Sequence, residues 1–176
     1  MFSVGRSAAV AALLLAAAVS GCATKPTSTP EGAFGELQGA FAKGDYGAVY
    51  DLKSTASQKA FADDIQKKAE EMKDIPPFAR QALGFDLAEL AKLPPRDAFK
   101  RMQEGVKGSA KLGTAMTGKE AEQSVQFAGA TVKKSDVKGD AAVLTVIDNG
   151  AEKTLDLVRE QGVWKFTTPL APRVGK

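Results

Sequence analysis

The side chains that most often carry chemistry in proteins are scarce in this chain. Its 176 residues include a single cysteine, Cys22, and no histidine. Without histidine, Ser-His-Asp and Cys-His catalysis and histidine-ligated zinc are excluded. Acid–base work near neutral pH would need a carboxylate whose pKa is raised by burial. Most acids here fall in amphipathic or turn segments, so we predict no catalytic residue and no enzyme activity.

Two acidic pairs and three glycines are the remaining candidates for a metal or phosphate site. The pairs are Asp63-Asp64 and Glu70-Glu71. Adjacent residues diverge by about 100° on a helix, and no oxygen-rich loop of the EF-hand kind is present. The glycines do not follow a predicted strand, as a phosphate-binding loop requires; they are Gly105, Gly108 and Gly113. We predict no metal ligand, no cofactor-binding residue and no cofactor.

Cys22 lies at the end of a short apolar run. Ala8 to Val19 is continuously apolar and follows one positive charge, Arg6. As a helix this run spans roughly 18 Å, well short of the ~30 Å hydrocarbon core of a bilayer. The pattern is typical of a signal-peptide core rather than a transmembrane helix.

The residues before the cysteine, Val19-Ser20-Gly21-Cys22, resemble the lipobox of bacterial lipoproteins. That resemblance implies cleavage before Cys22, a diacylglyceryl thioether on Cys22, and lasting attachment to a membrane through acyl chains. Ala23, rather than aspartate, follows the cysteine, which implies the outer membrane facing the periplasm if the host has two membranes. The alternative is an ordinary secretory signal with Cys22 as a free thiol, which would lack a disulfide partner.

The chain divides into a signal peptide over 1–21, a lipidated tether over 22–31, one domain over 32–170 and a tail over 171–176. Residues Ala23 to Pro30 are polar and contain prolines, which is typical of a tether. The formal charge of +3 is spread over interleaved Lys, Arg, Asp and Glu. No basic block is present, so we expect no nucleic-acid partner.

The first half of the domain is predicted to be helical. Phe34, Leu37 and Phe41 share one face of a helix that stops at Gly44, and Asp45 can cap a shorter segment. A third, amphipathic helix is predicted from about 57 to 73, with Ile65 in its apolar stripe. The proline pairs at 76–77 and 94–95 suggest further helices at roughly 77–83, 86–92 and 95–106.

The second half is predicted to form four short strands. An alternation of residue types begins at Val125 and runs to Val132, and β-rich runs follow at 141–147, 154–158 and 163–168. The runs are separated by turn signals, of which Asn149-Gly150 favours a type I′ hairpin. We therefore predict an α+β fold in which helices cover one face of an antiparallel meander. Trp164 should pack against helices that carry Phe41 or Ile65.

This order of elements resembles the nuclear-transport-factor-2-like fold, a roll of helices wrapped by a curved sheet. The resemblance rests on Ala40 to Tyr46, with its Gly-Asp pair, and on the ending Leu157 to Phe166, with its Gly-x-Trp-Lys hairpin. Small uncharacterised lipoproteins of that superfamily share both features. The proline-punctuated insertion between Pro76 and Gly108 departs from the compact family pattern.

The resemblance implies one catalytic alternative, because enzymes of that fold can use a buried aspartate and tyrosine for proton transfer. Tyr46, Tyr50 and Asp51 are the residues that could do so here. Tyrosines on a core-facing helix more often serve in packing, and Trp164 and Phe166 are expected to be core residues for the same reason.

Three functions remain open at this point. The first is a non-enzymatic, lipid-anchored binding or accessory domain of the cell envelope, with an envelope protein as its partner. The second is a carrier of a small apolar ligand. The third is an isomerase or hydrolase that uses a carboxylate and a tyrosine. A polar cavity would favour the enzyme, a large apolar cavity the carrier, and a filled core with an exposed apolar patch a binding domain.

Overall fold

A computed structural model describes residues 26–74, 85–117 and 127–167, with the backbone alone over 107–117. Within these ranges, one 3-10 helix and five α-helices precede four strands. The helices are α1 (Pro30–Lys43), α2 (Tyr46–Asp51), α3 (Thr55–Glu71), α4 (Leu87–Leu90) and α5 (Pro95–Thr117). The strands are β1 (Thr131–Lys138), β2 (Ala141–Asp148), β3 (Ala151–Glu160) and β4 (Val163–Phe166). The predicted α+β class is confirmed.

The helix ends follow the capping chemistry of the sequence. The Thr29 side chain accepts a hydrogen bond from the Gly32 N–H at 3.1 Å, and Pro30 opens α1. Gly44 ends α1 in the left-handed region at φ 68°, as predicted. Asp45 caps α2 by accepting from the Ala48 N–H at 3.0 Å.

The folded part of the chain begins earlier than residue 32. Pro26–Ser28 forms one turn of 3-10 helix, and a Cβ placed on Gly32 would lie 1.7 Å from the Pro26 carbonyl oxygen. This close approach needs glycine at position 32. The residues from Pro26 onward in the predicted tether 22–31 are therefore packed on α1.

The strands form one antiparallel meander in the order β1-β2-β3-β4. Two-residue turns join them, and Asn149 and Gly150 both adopt positive φ, as a type I′ hairpin requires. Alternate residues of β2 are buried against the helices: Ala142, Leu144, Val146 and Asp148. We call this side the inner face and the opposite side the outer face.

Several element boundaries differ from the sequence-based prediction, and those of the first strand and the last helix differ most. The first strand is Thr131–Lys138, whereas the alternation predicted it from Val125 to Val132. Phe127–Gly129 is instead a turn, with φ 63° at Phe127 and 73° at Gly129. Phe127 is buried by edge-to-face packing on Phe34 at 5.6 Å, not by a place in the sheet. Helix α5 also runs on to Thr117 rather than ending near 106. The predicted helix at 77–83, and Val125 itself, lie outside the described residues.

Candidate functional site

The space between the helices and the inner face is filled by side chains. Leu37, Val49 and Leu144 have no measurable exposure, and the same cluster holds Phe41, Trp164 and Phe166. Trp164 thus shares a core with Phe41, as predicted, whereas Ile65 belongs to a second cluster with Leu87, Leu90 and Ala98. The interior of the described part is a packed core and not a lined chamber.

One small cavity lies beside the second cluster, between α3 and the start of α5. It holds about 20 Å³ and is lined mainly by apolar side chains, among them Phe61, Ile65, Leu90 and Ala98. This volume suits about one water molecule, whereas pockets for drug-sized ligands measure roughly 300–1,000 Å³. This cavity is too small for the small apolar ligand of the carrier alternative.

The three residues of the catalytic alternative serve different roles. Tyr50 is buried, with its ring 5.6 Å from Phe99 and 6.1 Å from Phe61, and burial together with the neighbouring Asp51 raises its pKa. The Asp51 side chain is 54% exposed and accepts from the Arg96 guanidinium at 3.0 Å. The geometry therefore gives a packing tyrosine and a surface ion pair, not a buried acid–tyrosine pair. Tyr46 packs edge-on against Phe41 at 6.5 Å.

The acidic pairs considered for metal binding are used in local ion pairs along α3. Asp63 accepts from Lys59 at 2.6 Å and Asp64 from Lys68 at 2.8 Å, both one turn apart. Glu70 and Glu71 pair with Lys73 and Lys67. Across the described ranges, three or more potential metal-binding side chains do not come together anywhere. Gly105 and Gly108 lie within α5 rather than in a loop after a strand.

Lys53 is a buried lysine that sequence reasoning missed. It is 5% exposed, its Nζ lies 5.5 Å from the centre of the Phe99 ring, and burial lowers the pKa of its amine. Within the described ranges, the Lys53 amine has no ion pair. A lysine in a short polar link is ordinarily exposed, so no local sequence signal distinguishes Lys53 from the surface lysines.

A second buried charge, Asp148, ends the inner face of β2. One of its carboxylate oxygens pairs with Lys153, whose Nζ lies 5.6 Å from the Phe127 ring. The other oxygen is buried without a hydrogen-bond partner among the described residues. A lone carboxylate paired with one lysine lacks the further oxygen ligands that a hard cation needs.

The outer face of the sheet is not covered by any described helix. Its centre is the outward side of β2, where Val143 is 37% exposed between Thr145 and Ala141. Charged side chains flank this stripe on the neighbouring strands; they include Lys134, Asp136 and Lys138 of β1 and Glu152 and Asp156 of β3. An apolar stripe with a charged border is a common composition for a surface that binds another protein.

The two edges of the sheet differ. At the β4 edge, the Phe166 N–H donates to Leu52 O at 2.9 Å, and the Ser54 N–H donates to Phe166 O at 2.9 Å. The link Leu52–Ser54 therefore satisfies the outward backbone groups of Phe166. At the β1 edge, no described residue pairs with Thr131–Lys138 on the side away from β2. That edge is open in the described part of the chain.

Cys22 and the rest of the predicted signal lie outside the described residues. Among the helices of the described ranges, none has both the length and the apolar character to cross a bilayer. No protein-family model, curated protein or solved structure matches this chain.

Proposed function

We propose that this protein is a lipid-anchored, non-enzymatic binding domain of the cell envelope. The anchor is the lipid on Cys22, and the partner is another envelope protein that docks on the sheet. The observation that supports binding is the contrast between a filled interior and an uncovered outer face with Val143 at its centre. A domain of this kind acts through its surface, because the core formed by the described residues has no room for a substrate.

The short link to the anchor supports action close to the membrane. Three residues separate Cys22 from the turn at Pro26, and an extended chain covers at most about 3.6 Å per residue. Pro26 would therefore lie within roughly 15 Å of the lipidated Cys22. A partner in the same membrane, or one at its surface, is the kind that such a domain can meet.

The anchor is tested by substitution of the cysteine. Cys22→Ser should abolish incorporation of labelled palmitate and block the usual cleavage, since the thioether cannot form. The matched control is Ser20→Ala, which keeps small residues before an intact cysteine and should still be labelled. Normal processing and membrane retention of the Cys22→Ser protein would show that the anchor lies elsewhere.

Binding is tested by photo-crosslinking in intact cells. A photoreactive residue at Val143 should yield a discrete adduct, whereas the same residue at Lys67, on the exposed side of α3, should not. Equal adducts at both positions would contradict a specific role for the outer face. Substrate turnover by the purified protein that is lost on Tyr50→Phe would contradict the non-enzymatic assignment.

A further inference from the structure

The β1 edge carries unpaired backbone groups at a regular spacing. Lys138 and Ala141 close a two-residue turn, so they form a hydrogen-bonded pair, and hydrogen-bonded pairs alternate from there along the two strands. Asp136 opposite Val143 is then hydrogen-bonded to β2, while Ser135 and Val137 direct their N–H and C=O groups outward. A row of this kind is the template on which an extended peptide can add a strand.

Two side chains of the β1 edge that face the inner side of the sheet, Val137 and Ser135, are only partly satisfied by the described residues. Val137 pairs with the buried Ala142 but is itself 52% exposed, the most exposed large apolar residue in the described ranges. Beside it, the Ser135 hydroxyl is buried and has no hydrogen-bond partner among the described residues. An added strand would cover Val137 with an apolar side chain.

The charge of β1 indicates which side chains an added strand should carry on the outer face of the sheet. The strand holds three lysines and one aspartate, a formal charge of +2, and Lys134 and Lys138 project from the outer face. Lys134 pairs with Asp136 at 2.8 Å and Lys133 with Glu152 at 2.5 Å, which leaves Lys138 without an ion pair among the described residues. Acidic side chains on the added strand would meet these cations.

The same lysines disfavour a second copy of this chain as the occupant. Two β1 edges paired with each other would bring together two strands that each carry a formal charge of +2. With the two-fold axis at Asp136, Lys134 of one copy would lie beside Lys138 of the other, and like charges on adjacent strands are destabilising. Lysines and the β-bulge at Lys133 are features that protect an edge against such pairing. They do not protect it against an acidic strand.

We propose that the β1 edge binds an extended segment of a partner protein in which acidic and apolar residues alternate. This proposal rests on the binding function proposed above and names the chemistry of the partner. The apolar residues would pack beside Val137 on the inner face, and the acidic residues would lie beside Lys134 and Lys138 on the outer face. Backbone hydrogen bonds to Ser135 and Val137 would supply most of the affinity.

The test uses the full chain purified in detergent and an eight-residue fluorescent peptide of alternating glutamate and valine. Its fluorescence anisotropy should rise on binding, and a peptide with lysine in place of glutamate should bind about tenfold more weakly or worse. Added salt should weaken binding of the acidic peptide. Absence of binding by the acidic peptide, or equal binding of both peptides, would overturn the proposal.

Two variants locate the binding. Val137→Pro removes an outward N–H that β2 does not use, so the fold should persist while the affinity falls about tenfold or more. Lys134→Glu with Lys138→Glu changes only surface charge and should reverse the preference between the two peptides. Unchanged affinity in the folded Val137→Pro protein would overturn the proposal, as would concentration-dependent self-association that Val137→Pro abolishes. Neither result would affect the crosslinking expected at Val143, so the binding function would still be tested separately from the edge proposal.

Discussion

The two edges of the sheet differ in how the outward backbone N–H and C=O groups of the edge strand are satisfied. At the β4 edge, a short link between helices supplies a donor and an acceptor to Phe166, and Glu160 also holds the start of α3 by accepting from the Thr55 N–H at 3.0 Å. At the β1 edge, no described element supplies hydrogen-bond partners to the outward backbone groups. The contrast separates a side that fastens the helices to the sheet from a side whose backbone groups have no partner among the described residues, where we propose that an external strand adds.

The largest expected effect is at the closed side. Trp164 lies on β4, is 3% exposed and belongs to the main core, so Trp164→Ala should lower the free energy of unfolding by about 3–5 kcal/mol. Urea unfolding followed by circular dichroism measures the change. The matched substitution on the open side is Val137→Ala, which should cost no more than about 0.5 kcal/mol. Similar losses at both positions would mean that the two sides do not differ as described.

A smaller, pH-dependent effect is expected at Lys53, beside the closed edge. Burial disfavours its ammonium form, so Lys53→Met should stabilise the fold at neutral pH while it keeps the apolar contacts of the side chain. The native lysine loses its proton in the folded state at a lower pH than in the unfolded state. The unfolded chain therefore binds more protons between the lowered pKa and 10.5, and the wild-type protein gains stability as the pH rises through that range.

The advantage of the Lys53→Met protein should accordingly shrink between neutral pH and pH 10.5. Thermal unfolding of both proteins across this range measures the difference. The control is Lys100→Met on the exposed side of α5, which should change stability little at any of these pH values. A Lys53→Met protein that is less stable than wild type at neutral pH would show that the ammonium is better solvated than its position indicates.

The sequence was sufficient to predict those parts of the fold that depend on neighbouring residues. Asn149-Gly150 and Gly162 specify tight turns because they accept positive φ, and Gly44 and Asp45 specify a helix end and a helix start. These local signals are enough to arrange four strands in a meander and to place helices before them. They also placed Trp164 on a buried face.

Features that depend on distant residues were not predicted. Phe127 fits an alternating pattern, but contacts with α1 hold it in a turn. Phe34 packs on its ring, and the Gln38 side chain donates to its carbonyl oxygen at 2.9 Å. The burial of Lys53 and the closure of the β4 edge likewise depend on how α2 and α3 dock on the sheet. The open edge was not predicted either, although the lysines of β1 are typical of an edge strand.

The most direct test of the central claim is amide hydrogen exchange of the free protein, resolved by residue. The Phe166 N–H, which donates to Leu52 O, should be strongly protected. The outward N–H groups of Ser135 and Val137 should exchange at least about a hundredfold faster, because water reaches them without unfolding of the sheet. Protection of Ser135 and Val137 equal to that of Phe166 would contradict the account, since the β1 edge would then already be occupied.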